Sequence, residues 1–150
     1  MALKQQIIDD FKQAFKEKDM ERKNILAMVQ SEMKNKEIEL MKREAGLSDD
    51  EVIQVISKMI KQRKDSAEQF RTGGREELAA QELKEVAILE KYLPEQLSDE
   101  AVEKAVKEVL ETAGIANKAD MGKAMGAAMA KLKGQADGNK VREMVEKLLQ

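Results

Sequence analysis

The sequence predicts an all-α protein, and three observations carry that expectation. Apolar residues recur at three-and-four spacing along most of the chain. No run of four or more residues alternates with period two or concentrates β-branched side chains. With 42% hydrophobic but only 3% aromatic residues, the core must come from Leu, Ile, Val, Met and Ala. Set among abundant Glu, Lys and Gln, that composition favours helix.

The first helix is marked by Leu3, Ile7, Ile8, Phe11, Ala14 and Phe15. After the polar run Lys16-Glu17-Lys18-Asp19, a second runs through Ile25, Leu26, Met28, Val29, Met33, Ile38, Leu40 and Met41, with its end expected near Ala45-Gly46. Ser48 and Glu51 have the spacing of a capping box, and Leu47 and Val52 that of a hydrophobic staple, so a third helix starts there. It carries Val52, Ile56, Met59, Ile60, Ala67 and Phe70 as far as Gly73-Gly74, where glycine permits a left-handed cap. A fourth spans about Arg75 to Tyr92. Helices two and three are expected to pair as an elongated antiparallel hairpin.

The only proline, Pro94, disfavours helix at Leu93 and marks a boundary. It separates an N-terminal helical domain, 1–93, from a C-terminal three-helix bundle, 94–150. Ser98 caps a helix bearing Val102, Ala105, Val106, Val109 and Leu110 that stops at Gly114. Asn117 and Asp120 introduce the next, with Met121, Ala124, Met125, Ala128, Met129 and Leu132, ended by Gly134. Asp137 caps the last, with Val141, Met144, Val145, Leu148 and Leu149.

Composition removes many functions. With neither His nor Cys among its 150 residues, the chain offers no structural zinc site, no Cys or Ser-His nucleophile system, no disulfide and no histidine switch. No catalytic residue, metal or cofactor is assigned. Asp9 with Asp10, or Glu76 with Glu77, are sequence neighbours that diverge on a helix surface. Ser57 and Lys61 share a helix face but lack an oxyanion site or a strained turn. No apolar stretch approaches the roughly 20 residues that span a bilayer, and Met1-Ala2-Leu3-Lys4-Gln5-Gln6 lacks a signal-peptide core. A cytoplasmic protein without a membrane partner is expected.

The net charge of −2 exerts no global pull on nucleic acid, so any such role rests on a local patch, and no DNA partner is expected. The C-terminal part is polarised. From Glu95 to Ala113 two basic residues face six acidic ones, a balance of −4, whereas from Gly114 to Arg142 six basic residues face two acidic ones, a balance of +4. Lys131, Lys133 and Lys140 surround the turn Gly134-Gln135-Ala136-Asp137-Gly138, and the N-terminus of the next helix would add backbone donors for an anion. A solvated face accounts for the same charges. Gly122 and Gly126 lie inside a helical pattern, where each costs up to about 1 kcal/mol relative to Ala. Such a pair implies close approach by a neighbouring helix, a ligand or a nucleic-acid backbone. Met121, Met125 and Met129 fill core or line a groove. Lys58, Lys61, Arg63 and Lys64 read as a solvated run paired with Asp65 and Glu68, or as an extension of an RNA track.

The sequence resembles the YqeY-like proteins, whose C-terminal part is similar to the tail domain of the B subunit of the tRNA-dependent amidotransferase. The resemblance is carried by Lys61-Gln62-Arg63-Lys64-Asp65-Ser66-Ala67-Glu68-Gln69-Phe70, Gly74-Arg75-Glu76-Glu77-Leu78-Ala79 and Glu90-Lys91-Tyr92-Leu93-Pro94. Its most specific part is Asp120-Met121-Gly122-Lys123-Ala124-Met125-Gly126, continuing through Lys131-Leu132-Lys133-Gly134 and Ala136-Asp137-Gly138. The family often has Pro where Ala130 stands and Arg where Gln135 stands. The resemblance implies an N-terminal helical domain and a bundle that, in the amidotransferase, helps hold tRNA during glutamine-dependent amidation, a carbon-nitrogen ligase reaction. This chain lacks that enzyme's catalytic body. The resemblance therefore implies a non-catalytic tRNA-binding or accessory module, with tRNA or a translation-related protein as partner. Candidate RNA-contacting residues are Gly122, Lys123, Gly126, Lys131, Lys133, Gly134, Gly138 and Lys140. The alternative is a helical protein-interaction module that binds no RNA.

Overall fold

The computed structural model describes residues 3–149. Among them the chain forms seven α-helices and no strand: α1 (Leu3–Glu17), α2 (Met20–Glu39), α3 (Asp49–Thr72), α4 (Glu76–Glu90), α5 (Asp99–Ala113), α6 (Met121–Leu132) and α7 (Gly138–Leu148), with a 3-10 turn at Lys118–Asp120 before α6. The fold is all-α. Its contacts group into two compact units, Met1–Leu93 and Pro94–Gln150.

Local chemistry sets the helix ends. The Ser48 hydroxyl accepts the Glu51 N–H at 3.2 Å while the Glu51 carboxylate accepts the Ser48 N–H at 2.9 Å, a complete capping box at the start of α3. Ser98 caps α5 and Asp137 caps α7 in the same side-chain-to-backbone manner. Helices α1, α2, α3 and α5 end on paired bonds in which two successive N–H groups reach back over a left-handed residue. Glycine fills that position after α3 (Gly74, φ 77°) and α5 (Gly114, φ 69°). After α1 and α2 it is held by Lys18 and Met41 (φ 60° and 57°), where a β-carbon makes the conformation costly. The end of α2 therefore falls several residues before Ala45-Gly46. The Lys42 N–H bonds to Glu37 O at 2.7 Å and closes the helix, with only a non-glycine residue to mark it in the sequence.

In the first unit α3 packs chiefly on α4 and α1 on α2, so the principal hairpin is α3–α4 and not the pairing of helices two and three. The tight Gly73-Gly74 turn returns α4 directly onto α3, whereas a longer segment separates α2 from α3. The core gathers Ile7, Leu26, Val29, Met33, Ile56 and Leu89, all nearly or wholly buried. Each such side chain contributes about 1.5–3 kcal/mol by leaving water. Polar ties link the helices. Tyr92 Oη donates to Asp10 at 2.6 Å, and burial together with that carboxylate raises the phenol well above its usual range. The Arg63 guanidinium is buried and donates to Glu85 at 2.9 Å, while Lys64 pairs with Glu90. The basic run of α3 is thus neutralised in part across the hairpin by α4, because the carboxylates that Arg63 and Lys64 meet are Glu85 and Glu90 of α4 and not Asp65 or Glu68 of their own helix.

In the second unit α5 packs on α6 and α7 around Val102, Val106, Ala124, Ala128, Leu132 and Val141. Met121, Met125 and Met129 flank this stripe half-buried, so they fill the margin of the core and leave its centre to small residues. The turn between α6 and α7 is clasped by the segment ahead of α5. The Leu97 N–H donates to Gln135 O at 2.9 Å, and Gln96 Nε2 donates to Gly134 O at 2.6 Å.

Candidate nucleic-acid interface

The α6 sequence Met121-Gly122-Lys123-Ala124-Met125-Gly126 turns Ala124, Ala128 and Leu132 into the core at spacings of four. That placement forces Gly122, Gly126, Ala130 and Lys133 to the outside, where all four are exposed together with Lys123. A β-carbon added at Gly122 or Gly126 would meet no atom within 4 Å. Among the described residues of the second unit no helix packs against these glycines, so the neighbouring-helix approach that they suggest is not made within the bundle, and the α6 backbone lies open beside Lys123. Lys133 sits at the C-cap of α6, where a cation suits the carbonyl end of the helix.

The other candidates are placed differently. Lys131 Nζ bonds Glu108 of α5 at 2.8 Å, and this bond holds the Glu108 carboxyl below its ordinary range. Both partners reach solvent, so the pair adds little stability. Lys140 pairs with Asp99. The acidic α5 thereby engages two of the four candidate lysines. Lys123 and Lys133 form no ion pair among the described residues, and neither does Lys118 at the start of the 3-10 turn.

The turn after α6 is a weaker anion site than its charge suggests. Asp137 Oδ1 accepts the Asn139 N–H at 2.9 Å, so the N-terminus of α7 is already served by a carboxylate of its own chain. Gly134 adopts φ 74° and its carbonyl accepts from Gln96, a structural role. Gly138 begins α7, and a β-carbon there would lie 3.8 Å from Met129 Cε, an ordinary contact. Among the described residues no three metal-ligating side chains converge. Gln96, Asp99 and Glu108 shape the site yet carry no local signal in the sequence, because each acts from a different segment.

The sequence pattern of the family described as Yqey-like protein matches residues 4–149. The chain belongs to the YqeY-like family. Curated relatives of this family member include Altered inheritance of mitochondria protein 41, mitochondrial, of Kluyveromyces lactis, 41% identical over 91 residues, which is 61% of this chain and 46% of the relative. The protein of the same name from Saccharomyces cerevisiae strain YJM789 is 40% identical over 86 residues, 56% of this chain and 44% of the relative. That of Vanderwaltozyma polyspora is 32% identical over 112 residues, 70% and 59%. The chain spans about half the length of the curated relatives it matches.

These names correct the cytoplasmic expectation, since the relatives are mitochondrial proteins by name. That expectation rested on a missing apolar signal core, a feature that separates secreted from non-secreted chains and does not resolve internal compartments. No described helix is long and apolar enough to cross a membrane.

Proposed function

We propose that this family member is a non-catalytic tRNA-binding or accessory module related to the tRNA-dependent amidotransferase. The observation that carries this reading is the open backbone of Gly122 and Gly126 on the helix that bears Lys123 and ends at Lys133, two exposed lysines without an ion-pair partner among the described residues. A phosphate backbone is a suitable occupant for such a surface. It can lie close to a helix that has no side chains in the way, and each lysine that meets a phosphate releases a counterion. Base-specific readout finds little support there, because the face has neither aromatic nor arginine side chains. The amidation chemistry stays with the larger enzyme, and this chain contributes binding.

The test is fluorescence anisotropy with bulk tRNA at two salt concentrations. The variant is Lys123→Glu/Lys133→Glu, which leaves the Lys131–Glu108 and Lys140–Asp99 pairs intact. The expected result is salt-sensitive binding by the native chain and, in the variant, weaker binding with a salt slope lower by about 1–2. Absence of binding, or a variant indistinguishable from the native chain, overturns the reading. The second reading, a helical protein-interaction module, is favoured by one observation: among the described residues six of the eight exposed large hydrophobics fall between residues 15 and 41. Docking that persists at high salt and after nuclease treatment would support it.

A further inference from the structure

The α1–α2 hairpin sorts its charges by side. At about 100° per residue Met20, Lys23, Ala27, Lys34 and Ile38 of α2 share an arc of about 60°, and Lys12, Phe15 and Lys16 of α1 share one of about 100°. The two arcs are neighbours, since Lys23 Nζ lies over the Phe15 ring, 5.2 Å from its centroid. Neither arc contains a carboxylate. The acids of the hairpin are engaged elsewhere: Asp10 and Glu17 meet Arg22, Asp10 also accepts from Tyr92, and Glu37 is buried against Lys4. Asp9, which accepts from Gln5, lies at the margin beyond Lys16.

Two properties of this face narrow its occupant. Lys12, Lys16, Lys23 and Lys34 form no ion pair among the described residues, so the face is basic in a chain whose net charge is −2, and its complement is an anion. Apolar side chains stand among these lysines, with Phe15 at 61%, Met20 at 54% and Ile38 at 43% exposure. A nucleic acid would use the lysines and leave Met20 and Ile38 in water, since neither stacks on a base. An anionic bilayer takes both, because apolar groups leave water below the headgroups while lysines stay at the level of the lipid phosphates.

We propose that the Phe15 side of the α1–α2 hairpin is a docking surface for an anionic lipid bilayer, on which the two helices lie with Phe15 and Met20 sunk among the headgroups. The proposal is independent of the RNA reading, which concerns α6. The expectation of no membrane partner rests on the missing spanning segment, and a helix that lies on a bilayer needs none. Each lysine held near such a surface raises partitioning about fivefold, and salt weakens that share.

The test is co-sedimentation of the full chain with phosphatidylcholine vesicles containing about a third phosphatidylglycerol, beside vesicles of phosphatidylcholine alone. Binding to the anionic vesicles only is expected, weakening as salt rises. Lys12→Glu/Lys16→Glu should lower the partition coefficient about tenfold or more, and Phe15→Ser about tenfold; all three positions are exposed, so the core stays intact. The chain has no tryptophan, so Phe15→Trp supplies a single emitter, whose spectrum should shift to shorter wavelength with the anionic vesicles and stay unchanged with tRNA. Absence of binding to the anionic vesicles, or binding that ignores Phe15→Ser, overturns the proposal. A Phe15→Trp spectrum that responds to tRNA and not to vesicles also overturns it and assigns this face to nucleic acid.

Discussion

Alanine at Gly126 should stabilise the C-terminal unit while covering the surface proposed to meet RNA. Gly126 is the sixth of the twelve residues of α6, and the space that its β-carbon would occupy is open. The folded state therefore gains a methyl group without a clash, and the unfolded chain loses glycine's extra freedom, which together give about 0.8–1 kcal/mol. Gly122 lies in the first turn, where helical restraint is looser, and about half of that value is expected. The double variant should gain about 1.5 kcal/mol, which raises the melting midpoint by about 3–6 °C if the chain unfolds as one, and by roughly twice that if the C-terminal unit melts alone. Circular dichroism under heat and urea measures this, with an unchanged urea slope as the control for a common unfolded state. The same variant should bind tRNA more weakly, so that stability and affinity move in opposite directions. A loss of stability in Gly126→Ala would refute the reasoning, since it would mean that another part of the molecule needs the bare backbone.

Other perturbations bear on different parts of the fold. Met41→Gly should raise stability by about 0.5–1 kcal/mol, because glycine adopts the left-handed end of α2 without the β-carbon penalty, and Met41 is 92% exposed and surrenders little packing. A thermal melt checks it. Glu51 is held down to about 2, from 4.5, chiefly by its bond to Lys42 and then by the Ser48 N–H. A depressed carboxyl contributes stability above its unfolded value and loses it as pH falls toward the folded one. Urea midpoints should therefore drop between about pH 5 and pH 2, and Glu51→Gln should flatten that part of the profile. At the α3–α4 hairpin Glu85→Ala should cost about 2–3 kcal/mol by stranding the buried Arg63 guanidinium, less than for a fully buried pair because Glu85 still reaches water. Arg63→Met/Glu85→Leu should recover most of that loss in the same denaturation assay.

Features encoded within four residues of themselves are legible in the sequence. Ser48 with Glu51, and the caps Ser98 and Asp137, declare helix starts because donor and acceptor are neighbours in the chain. The stop after α2 is not legible, since Met41 fills a place where the expected marker is glycine. Periodicity also merges two faces of α2. Met28 and Ile38 fall among Ile25, Leu26 and Val29 in a list of apolar positions, yet they stand on opposite sides of the helix. At the candidate site the bare glycines and the lysines can be read from α6 and the turn after it. Which lysines are already engaged cannot, because Glu108 and Asp99 come from α5 and meet Lys131 and Lys140 only after the bundle closes.

The bonds from Gln96 and Leu97 to the carbonyls of Gly134 and Gln135 determine where the C-terminal bundle can be cut out intact. A fragment begun at the obvious helix cap, Ser98, would hold all three helices and still lose both of these bonds. Its turn after α6 would be held only by its own ends and by the packing of Ala136 on the core, and Lys133 beside it would be less firmly placed. A fragment begun at Pro94 keeps the fastening, so the four residues ahead of the first helix cap are as much a component of the bundle as the helices themselves.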